Sequence, residues 1–219
     1  MKIFHDWEFI DDGRVIDPIS VGMIAEDGRT LYFINADEGV IERALTHGDG
    51  WLRENVMTQL PMTIGEYDPL IAGHHWDWDD QHQDWPGVAD LSEIRDAVLK
   101  FIRATPEPEL WAWYGAYDHV AYAQLFGPMP ELPAGLPMWT GDLKQEAVRL
   151  GNPRIPAMQP ASTEHHALHD AVADMRRAVW LRDFERDLRH GDGRLASGME
   201  KGFFGPSAQN PNVGMPPTS

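Results

Sequence analysis

The sequence predicts a mixed α/β domain in which an antiparallel meander of strands leads into alternating helices and strands. Two observations predict this fold class. Three apolar runs joined by short turns open the chain, and a helical stripe at residues 91–103 precedes an apolar run at 109–114. Strands first and alternation afterwards are typical of a mixed sheet flanked by helices. A length of 219 residues suits one such domain, which we predict at residues 1–188.

The three opening strands are predicted at residues 2–10, 16–25 and 30–34. Each contains a run of β-branched and aromatic side chains, which favour extended backbone. The sequence Glu26-Asp27-Gly28-Arg29 between the second and third runs is typical of a tight hairpin turn. The three strands are therefore expected to lie antiparallel to one another.

The middle of the chain predicts a helix, an irregular segment and then a helix followed by a strand. A helical segment is expected around 49–59, and Pro61 ends it. Residues 62–90, which are rich in Asp, His and Trp, are expected to be irregular. The apolar stripe at 91–103 predicts a helix, and the apolar run at 109–114 predicts a buried strand.

The last part of the chain predicts three more helices, one short strand and a tail. Pro160 places the start of the longest helix shortly after it. In chain order the elements are a helix at 117–126, a short strand around 137–140, a helix at 141–149, a Pro-containing loop at 151–162, a helix at 163–188 and a flexible Gly/Pro-rich tail at 189–219.

Composition excludes several function classes. The chain has no cysteine, which excludes disulfides, thiolate metal sites and cysteine nucleophiles. No stretch approaches the roughly 20 apolar residues of a membrane span. The N-terminus, Met1 to Asp6, lacks the long apolar run of a signal peptide. A cytoplasmic protein with no membrane partner is therefore expected.

The net charge of −17 argues at first against a nucleic-acid substrate. Most nucleic-acid binders are basic, because neutralising phosphates supplies much of their affinity. The argument reverses if acidic side chains hold divalent cations, since the ions then present positive charge to a phosphate.

Asp6 and Glu8 are the first candidate site residues. Residues two apart on a strand point to the same face, so both carboxylates point together and Trp7 points to the core. Two carboxylates among apolar residues are costly unless something neutralises them, and a metal ion would do so. The alternative is an exposed face of the sheet.

Asp118 and the pair His165 and Asp170 are the other candidates. Asp118 follows a buried strand at the start of a helix, where α/β proteins often place their sites. It could instead only interact with the helix N-terminus. His165 precedes Asp170 by five positions, which is out of phase on a regular helix. His165 is therefore expected to reach the site from a frayed or turned first turn.

The order of these motifs resembles the DEDDh exonucleases of the ribonuclease H-like fold, which include ribonuclease T, oligoribonuclease and the proofreading subunit of bacterial polymerase III. A closer resemblance, to a mycobacterial 3′→5′ exoribonuclease family, covers most of residues 1–180. Position 7 departs from that family, because it is Trp where Thr is common. The resemblance rests on Phe4-His5-Asp6-Trp7-Glu8-Phe9-Ile10-Asp11-Asp12-Gly13, Ile19-Ser20-Val21-Gly22, Glu26-Asp27-Gly28-Arg29, Leu110-Trp111-Ala112-Trp113-Tyr114-Gly115-Ala116-Tyr117-Asp118-His119-Val120 and Gln124-Leu125-Phe126-Gly127-Pro128-Met129.

This resemblance implies a ribonuclease H-like mixed sheet, metal-dependent removal of nucleotides from the 3′ end of single-stranded RNA, and a homodimer. Asp6, Glu8, Asp118 and Asp170 would bind two divalent cations, Mg²⁺ or Mn²⁺, which suit ligands that are all oxygen. Asp6 is the best candidate to bridge both ions. His165 would be the general base that takes a proton from the attacking water.

Three features of the sequence leave alternatives open. His169 and Asp174 repeat the spacing of His165 and Asp170 and could replace them in the site. The run from His74 to His82 has the residue types of a metal site, but no ordered element is expected to hold it. Tyr117 is a candidate for substrate contact, because it precedes Asp118 directly.

Three other functions remain possible at this stage. The same chemistry could act on single-stranded DNA or on very short oligonucleotides. The fold could instead carry a non-catalytic module that binds metal or nucleic acid, although the complete set of five site residues argues against that. A phosphohydrolase acting on small nucleotides is the third alternative.

Overall fold

The structure, a computed structural model, describes residues 1–190. The strands in this range are β1 (Lys2–Asp11), β2 (Ile16–Ala25), β3 (Thr30–Asn35), β4 (Met62–Asp68), β5 (Gly73–Trp78), β6 (Val88–Ala89), β7 (Glu109–Ala112) and β8 (Thr140–Asp142). The helices are α1 (Glu38–Thr46), α2 (Trp51–Asn55), α3 (Leu91–Arg103), α4 (Ala116–Gln124), α5 (Leu143–Arg149) and α6 (Ala167–His190).

The main sheet has six strands in the order β6-β3-β2-β1-β7-β8. β1, β2 and β3 form the predicted antiparallel meander, while β6, β7 and β8 each pair in parallel with a neighbour. Helices flank this mixed sheet, which confirms the predicted fold class and is consistent with a ribonuclease H-like fold. No helix among residues 1–190 is long and apolar enough to span a bilayer.

The two faces of β1 pack against different helices. On one face, Ile3 and Trp7 join a core that includes Val98 of α3 and extends to α4. On the opposite face, Phe4 packs with Ala171 of α6. The alternation of side chains along β1 thus separates a core built with α3 and α4 from a layer built with α6.

The chain between β3 and β4 differs from its prediction. The sequence analysis does not predict α1, and the helix expected at 49–59 is α2 followed by a 3₁₀ turn at Met57–Gln59. The Asp37 side chain accepts a hydrogen bond from the Val40 amide and so caps the N-terminus of α1. α1 buries only one short apolar stripe, Val40, Ile41, Ala44 and Leu45.

The prediction that residues 62–90 are irregular is wrong. β4 and β5 form an antiparallel hairpin in which Ile64 lies opposite Trp76, and β6 adds a strand beside β3. Ile64, Trp76 and Trp78 pack against the apolar cluster formed by α1 and α2. Packing against this cluster orders a segment whose polar composition favours a loop.

Other elements lie close to their predicted positions, with shifted ends. The strand predicted at 109–114 ends at Ala112, and Tyr114 has a positive φ of 60°. The helix predicted from 163 begins at Ala167, after a 3₁₀ turn at Ala161–Thr163. α6 continues to His190, two residues beyond the predicted domain end at 188. The rest of the predicted tail, 191–219, lies outside the described residues.

Candidate metal centre

Three carboxylates converge between the sheet and α6. Asp6 and Glu8 come from β1 and Asp170 comes from the first turn of α6, and each offers an oxygen within 4.8 Å of the others. All three side chains are partly buried. Within residues 1–190, they form the one group of three or more His, Asp or Glu side chains close enough to share an ion.

Gly22 allows the helix to come this close to the strand. It pairs with Asp6 across β1 and β2, and a Cβ at this position would lie 2.2 Å from the backbone of Ala167 and Leu168. Real Cβ atoms do not approach a backbone so closely, so any larger residue would push the start of α6 away from the sheet. The glycine therefore helps to bring Asp170 to Asp6.

Asp118 lies near enough to repel Asp6 and Glu8, although it is outside the group of three that converges within 4.8 Å. It lies in the first turn of α4, is 7% exposed, and its Oδ1 accepts a hydrogen bond of 2.9 Å from the backbone amide of Trp7. This bond ties Asp118 to the residue between Asp6 and Glu8. The second carboxylate oxygen is left for another partner.

Burial and mutual repulsion raise the pKa values of these carboxyls. Burial, followed by repulsion from Asp118, Glu8 and Asp170, holds the pKa of Asp6 well above its usual range. Burial, followed by repulsion from Asp170 and Asp118, raises the pKa of Glu8 to about 8. Burial raises the pKa of Asp118 to about 7. The carboxyls of the cluster therefore resist ionisation in the metal-free protein, and a bound cation would stabilise their ionised form.

Asp170 has local partners that oppose the effect of burial. Burial raises its pKa, whereas a hydrogen bond from the Gln159 side chain, a hydrogen bond from the His165 backbone and the charges of His165 and Arg177 lower it. Gln159 belongs to the Pro-containing loop, and its Oε1 is enclosed without a hydrogen-bond partner. The sequence analysis did not identify Gln159, because a single amide in an irregular loop forms no recognisable pattern.

His165 lies outside α6, two residues before its start. Its φ of 65° is in the left-handed region, so the chain turns at this residue instead of continuing a regular helix. Its ring meets the edge of the exposed Trp51 ring, with centroids 4.8 Å apart. The five-residue spacing to Asp170 therefore brings both residues together through a turn.

The competing pair, His169 and Asp174, is placed differently. Asp174 is 1% exposed, accepts a hydrogen bond of 2.8 Å from the Trp113 amide and forms an ion pair with Arg177. His169 stacks on the His166 ring, with centroids 4.0 Å apart. Asp170, and not Asp174, lies in the carboxylate cluster. Asp174 is therefore buried in α6, where it holds the residue that follows β7.

The run from His74 to His82 does not form a second metal centre. The prediction that no ordered element holds it is wrong, because β5 contains its first residues. His74 contacts the Arg53 side chain and the Gly65 carbonyl, and His75 contacts Asp68. These contacts occupy ring nitrogens of both histidines.

Two exposed aromatic side chains lie next to candidate site residues. Tyr117 is 53% exposed, stacks on Phe9 with ring centroids 6.0 Å apart, and directly precedes Asp118. Trp51 is exposed beside His165. Tyr117 is predictable for substrate contact because it precedes Asp118. Trp51 is not predictable from the sequence, because it is distant along the chain from every candidate residue.

Comparison with known proteins gives relatives by sequence. No protein-family model matches the chain. Two curated relatives, from two strains of Mycobacterium tuberculosis, are each named 3′-5′ exoribonuclease. The chain is 38% identical to each over 179 residues, covering 81% of this chain and 90% of the relative. A solved structure of the yeast NOT1 MIF4G domain co-crystallized with CAF1 matches 90% of this chain and 82% of that chain, at 10% identity, with a TM-score of 0.35 that is too low to carry an argument.

Proposed function

The chain belongs to the mycobacterial 3′-5′ exoribonuclease family, and on that premise we propose that it hydrolyses single-stranded RNA from the 3′ end with two divalent cations, releasing nucleoside 5′-monophosphates. The observation that carries this proposal is the convergence of Asp6, Glu8 and Asp170 within 4.8 Å. Carboxylates that serve only structure are usually paired with basic side chains, whereas this cluster gathers like charges. Such a cluster suits a hydrolytic site that binds cations.

The residues present fit Mg²⁺ or Mn²⁺. Asp6, Glu8, Asp118 and Asp170 offer only oxygen ligands, which these hard cations prefer. Asp6 lies among the other three carboxylates, each of which raises its pKa, so it would be the best placed of the four to share in holding both cations. When bound, the cations would offset phosphate charge, assist activation of the attacking water and stabilise the leaving oxygen.

His165 is the proposed general base. It lies beside Asp170 but outside the helix, so its ring is free of the helical register that fixes Asp170. Imidazole is the side chain whose ordinary protonation change falls near neutral pH, which suits it to accept a proton from water. The Trp51 ring limits the movement of the imidazole on one side.

The acidic character of the chain makes RNA binding depend on the cations. A net charge of −17 repels phosphates, and the carboxylate cluster would place the strongest repulsion where the scissile phosphate must lie. Trp51 and Tyr117 add exposed rings on which bases can stack. We therefore expect the metal-free protein to bind RNA poorly. Divalent ions should restore binding even in a His165→Ala variant.

A cleavage assay tests the proposal directly. The protein is incubated with 5′-labelled single-stranded RNA and with DNA of the same sequence, in Mg²⁺, in Mn²⁺ or in chelator. A ladder that shortens from the 3′ end, on RNA and only with metal, is the expected result. Equal cleavage of DNA would favour the alternative of a DNA or oligonucleotide exonuclease. No cleavage of either substrate with any metal would refute the proposal that the protein is a nuclease.

The homodimer and the cytoplasmic location remain predictions. Light scattering coupled to size-exclusion chromatography measures the molar mass of the full chain and separates a dimer from a monomer. Fractionation of the host cell locates the protein.

A further inference from the structure

His166, the residue after the proposed base, is held in a stack of three rings. Its imidazole is stacked on the Tyr32 ring of β3, with centroids 4.3 Å apart and planes inclined by 24°. On its other side is the His169 ring, at 4.0 Å and 21°. Because His166 is only 5% exposed, it has little room to move. Tyr32 therefore connects the sheet to the residue that adjoins His165.

Asp84 holds the same imidazole from a third direction. The Nε2 of His166 lies 3.4 Å from Oδ2 of Asp84, in the segment between β5 and β6. The Nδ1 of His166 is enclosed without a partner, which indicates that Nε2 carries the proton donated to Asp84. The segment between β5 and β6 thus reaches the start of α6.

His165 has a ring less enclosed than that of His166, since its aromatic neighbour is the exposed Trp51. Its left-handed φ of 65° is unusual for a residue with a side chain and needs support from its neighbours. On its C-terminal side that support is His166, whose carbonyl also accepts a hydrogen bond of 3.0 Å from the Asp170 amide in the first turn of α6. Asp170 is fixed by the rest of its helix, whereas His165 depends on the turn.

We propose that His166, clamped by Tyr32 and Asp84, is a positioning residue that holds the His165 turn in the conformation needed for catalysis. The proposal rests on the proposed function, in which His165 is the general base. The clamp acts on the placement of the base and leaves metal binding and RNA binding to other residues. The residues between β5 and β6 thereby gain a role in catalysis without contacting substrate.

Two matched pairs of variants test the clamp. Asp84→Ala removes the acceptor for His166, whereas Asp84→Asn keeps one acceptor oxygen and replaces the charge and the other oxygen with an amide NH2 group. Tyr32→Leu removes the stacked ring, whereas Tyr32→Phe keeps it. Loss of the clamp should lower kcat by ~10- to 100-fold, the scale of effect expected from a small misplacement of a catalytic group. Asp84→Asn and Tyr32→Phe should stay close to the wild type.

The same variants are examined for KM on single-stranded RNA, for Mn²⁺ affinity by calorimetry and for thermal unfolding. KM and Mn²⁺ affinity should remain those of the wild type, because the clamp contacts neither RNA nor the ions. If Asp84→Ala does not fold, the Tyr32 pair decides the question. Asp84→Asn as impaired as Asp84→Ala, or a parallel loss of Mn²⁺ affinity, would overturn the proposal.

A double-mutant cycle identifies the residue through which the clamp acts. In a His165→Ala background, Asp84→Ala should cause no further loss of residual activity, because the base that it positions is already absent. A full additional loss would show that Asp84 acts elsewhere. If the wild type cleaves nothing, the proposed function has failed. If the wild type and His165→Ala behave as proposed but Asp84→Ala equals the wild type, only the clamp has failed.

Discussion

The two faces of β1 bury polar side chains in opposite ways. On the face toward α3 and α4, His5 is fully buried, its Nδ1 accepts a hydrogen bond of 3.0 Å from the Trp7 indole, and its Nε2 lies 3.1 Å from the Thr140 hydroxyl. On the face toward α6, Asp6 and Glu8 meet Asp170 and repel it. Adjacent residues of one strand thus differ: His5 has hydrogen-bond partners for both ring nitrogens, a satisfied network, whereas Asp6 meets other carboxyls, an unsatisfied one.

This difference separates buried polarity that serves structure from buried polarity that serves function. Burial lowers the pKa of His5 to about 3, so its ring is neutral and its hydrogen bonds complete the core. Burial raises the pKa of Glu8 to about 8, so the carboxylate form that a metal needs is disfavoured in the metal-free protein. The first network is complete within the chain, while the second needs a cation to complete it.

The largest expected effect comes from Asp6→Asn, which removes one carboxyl group from the face of β1 that points toward α6. Exonuclease activity should fall by roughly 10⁴-fold, on the scale seen when an acidic member of a catalytic unit is lost. Mn²⁺ affinity, measured by calorimetry, should fall with it. The metal-free variant should nevertheless unfold at a higher temperature than the metal-free wild type, because Asn avoids the free-energy cost of holding a buried Asp6 carboxyl whose pKa is raised. A lower unfolding temperature would contradict this account of the face.

A slightly smaller loss is expected from His165→Ala, which leaves all four carboxylates in place. Activity should fall by ~10²- to 10⁴-fold, the usual contribution of a general base. Calorimetric Mn²⁺ affinity should remain near that of the wild type, because His165 is not a proposed ligand. His169→Ala is the comparison variant: it removes one ring of the His166 stack but no proposed catalytic group, so its loss of activity should be smaller than that of His165→Ala. If His169→Ala loses activity and His165→Ala does not, the competing pair is the correct one.

Strand alternation made the first half of the site predictable. The bounds of β1, β2 and β3 and the common face of Asp6 and Glu8 follow from local sequence, because a period of two needs no tertiary information. The turn at His165 was also expected, since five residues do not match the helical period. These features depend on neighbours in sequence, and therefore a single sequence suffices to predict them.

Contacts between distant and irregular segments could not be predicted in the same way. The hairpin of β4 and β5 forms because Trp76 and Trp78 pack on the cluster of α1 and α2, which composition does not indicate. Gln159 reaches Asp170 from a loop, and Asp84 reaches His166 across 82 positions. Neither pair has a periodic spacing, so only the fold shows that they meet.

The pH dependence of stability should have opposite signs on the two faces. Glu8 keeps its proton in the folded protein up to about pH 8 but loses it above its ordinary value of 4.5 when unfolded. Rising pH therefore removes stability between these values, by on the order of 5 kcal/mol for this group. His5 is neutral when folded and protonated below 6.5 when unfolded, so rising pH adds stability up to 6.5.

Above pH 6.5, of these two groups only Glu8 still makes stability depend on pH. The unfolding temperature of the protein in chelator should therefore fall between pH 6.5 and pH 8. Glu8→Gln should flatten this fall, because Gln does not titrate. Saturating Mn²⁺ should reverse it, since cations bind the ionised carboxylates. A rising unfolding temperature in chelator over this range would show that the carboxyls are already ionised without metal.

The smallest expected effect is that of His5→Leu, which breaks the satisfied network and leaves the carboxylates intact. The buried Trp7 indole N–H loses its acceptor, which should lower the free energy of unfolding by about 2 kcal/mol in urea denaturation. Because His5 contacts neither the carboxylate cluster nor His165, kcat per folded molecule should stay within about twofold of the wild type. Stability at low pH should also depend less on pH, since the titrating ring is gone. A loss of activity without a loss of stability would mean that the two faces of β1 are coupled, and that the satisfied network also positions the Trp7 amide that holds Asp118.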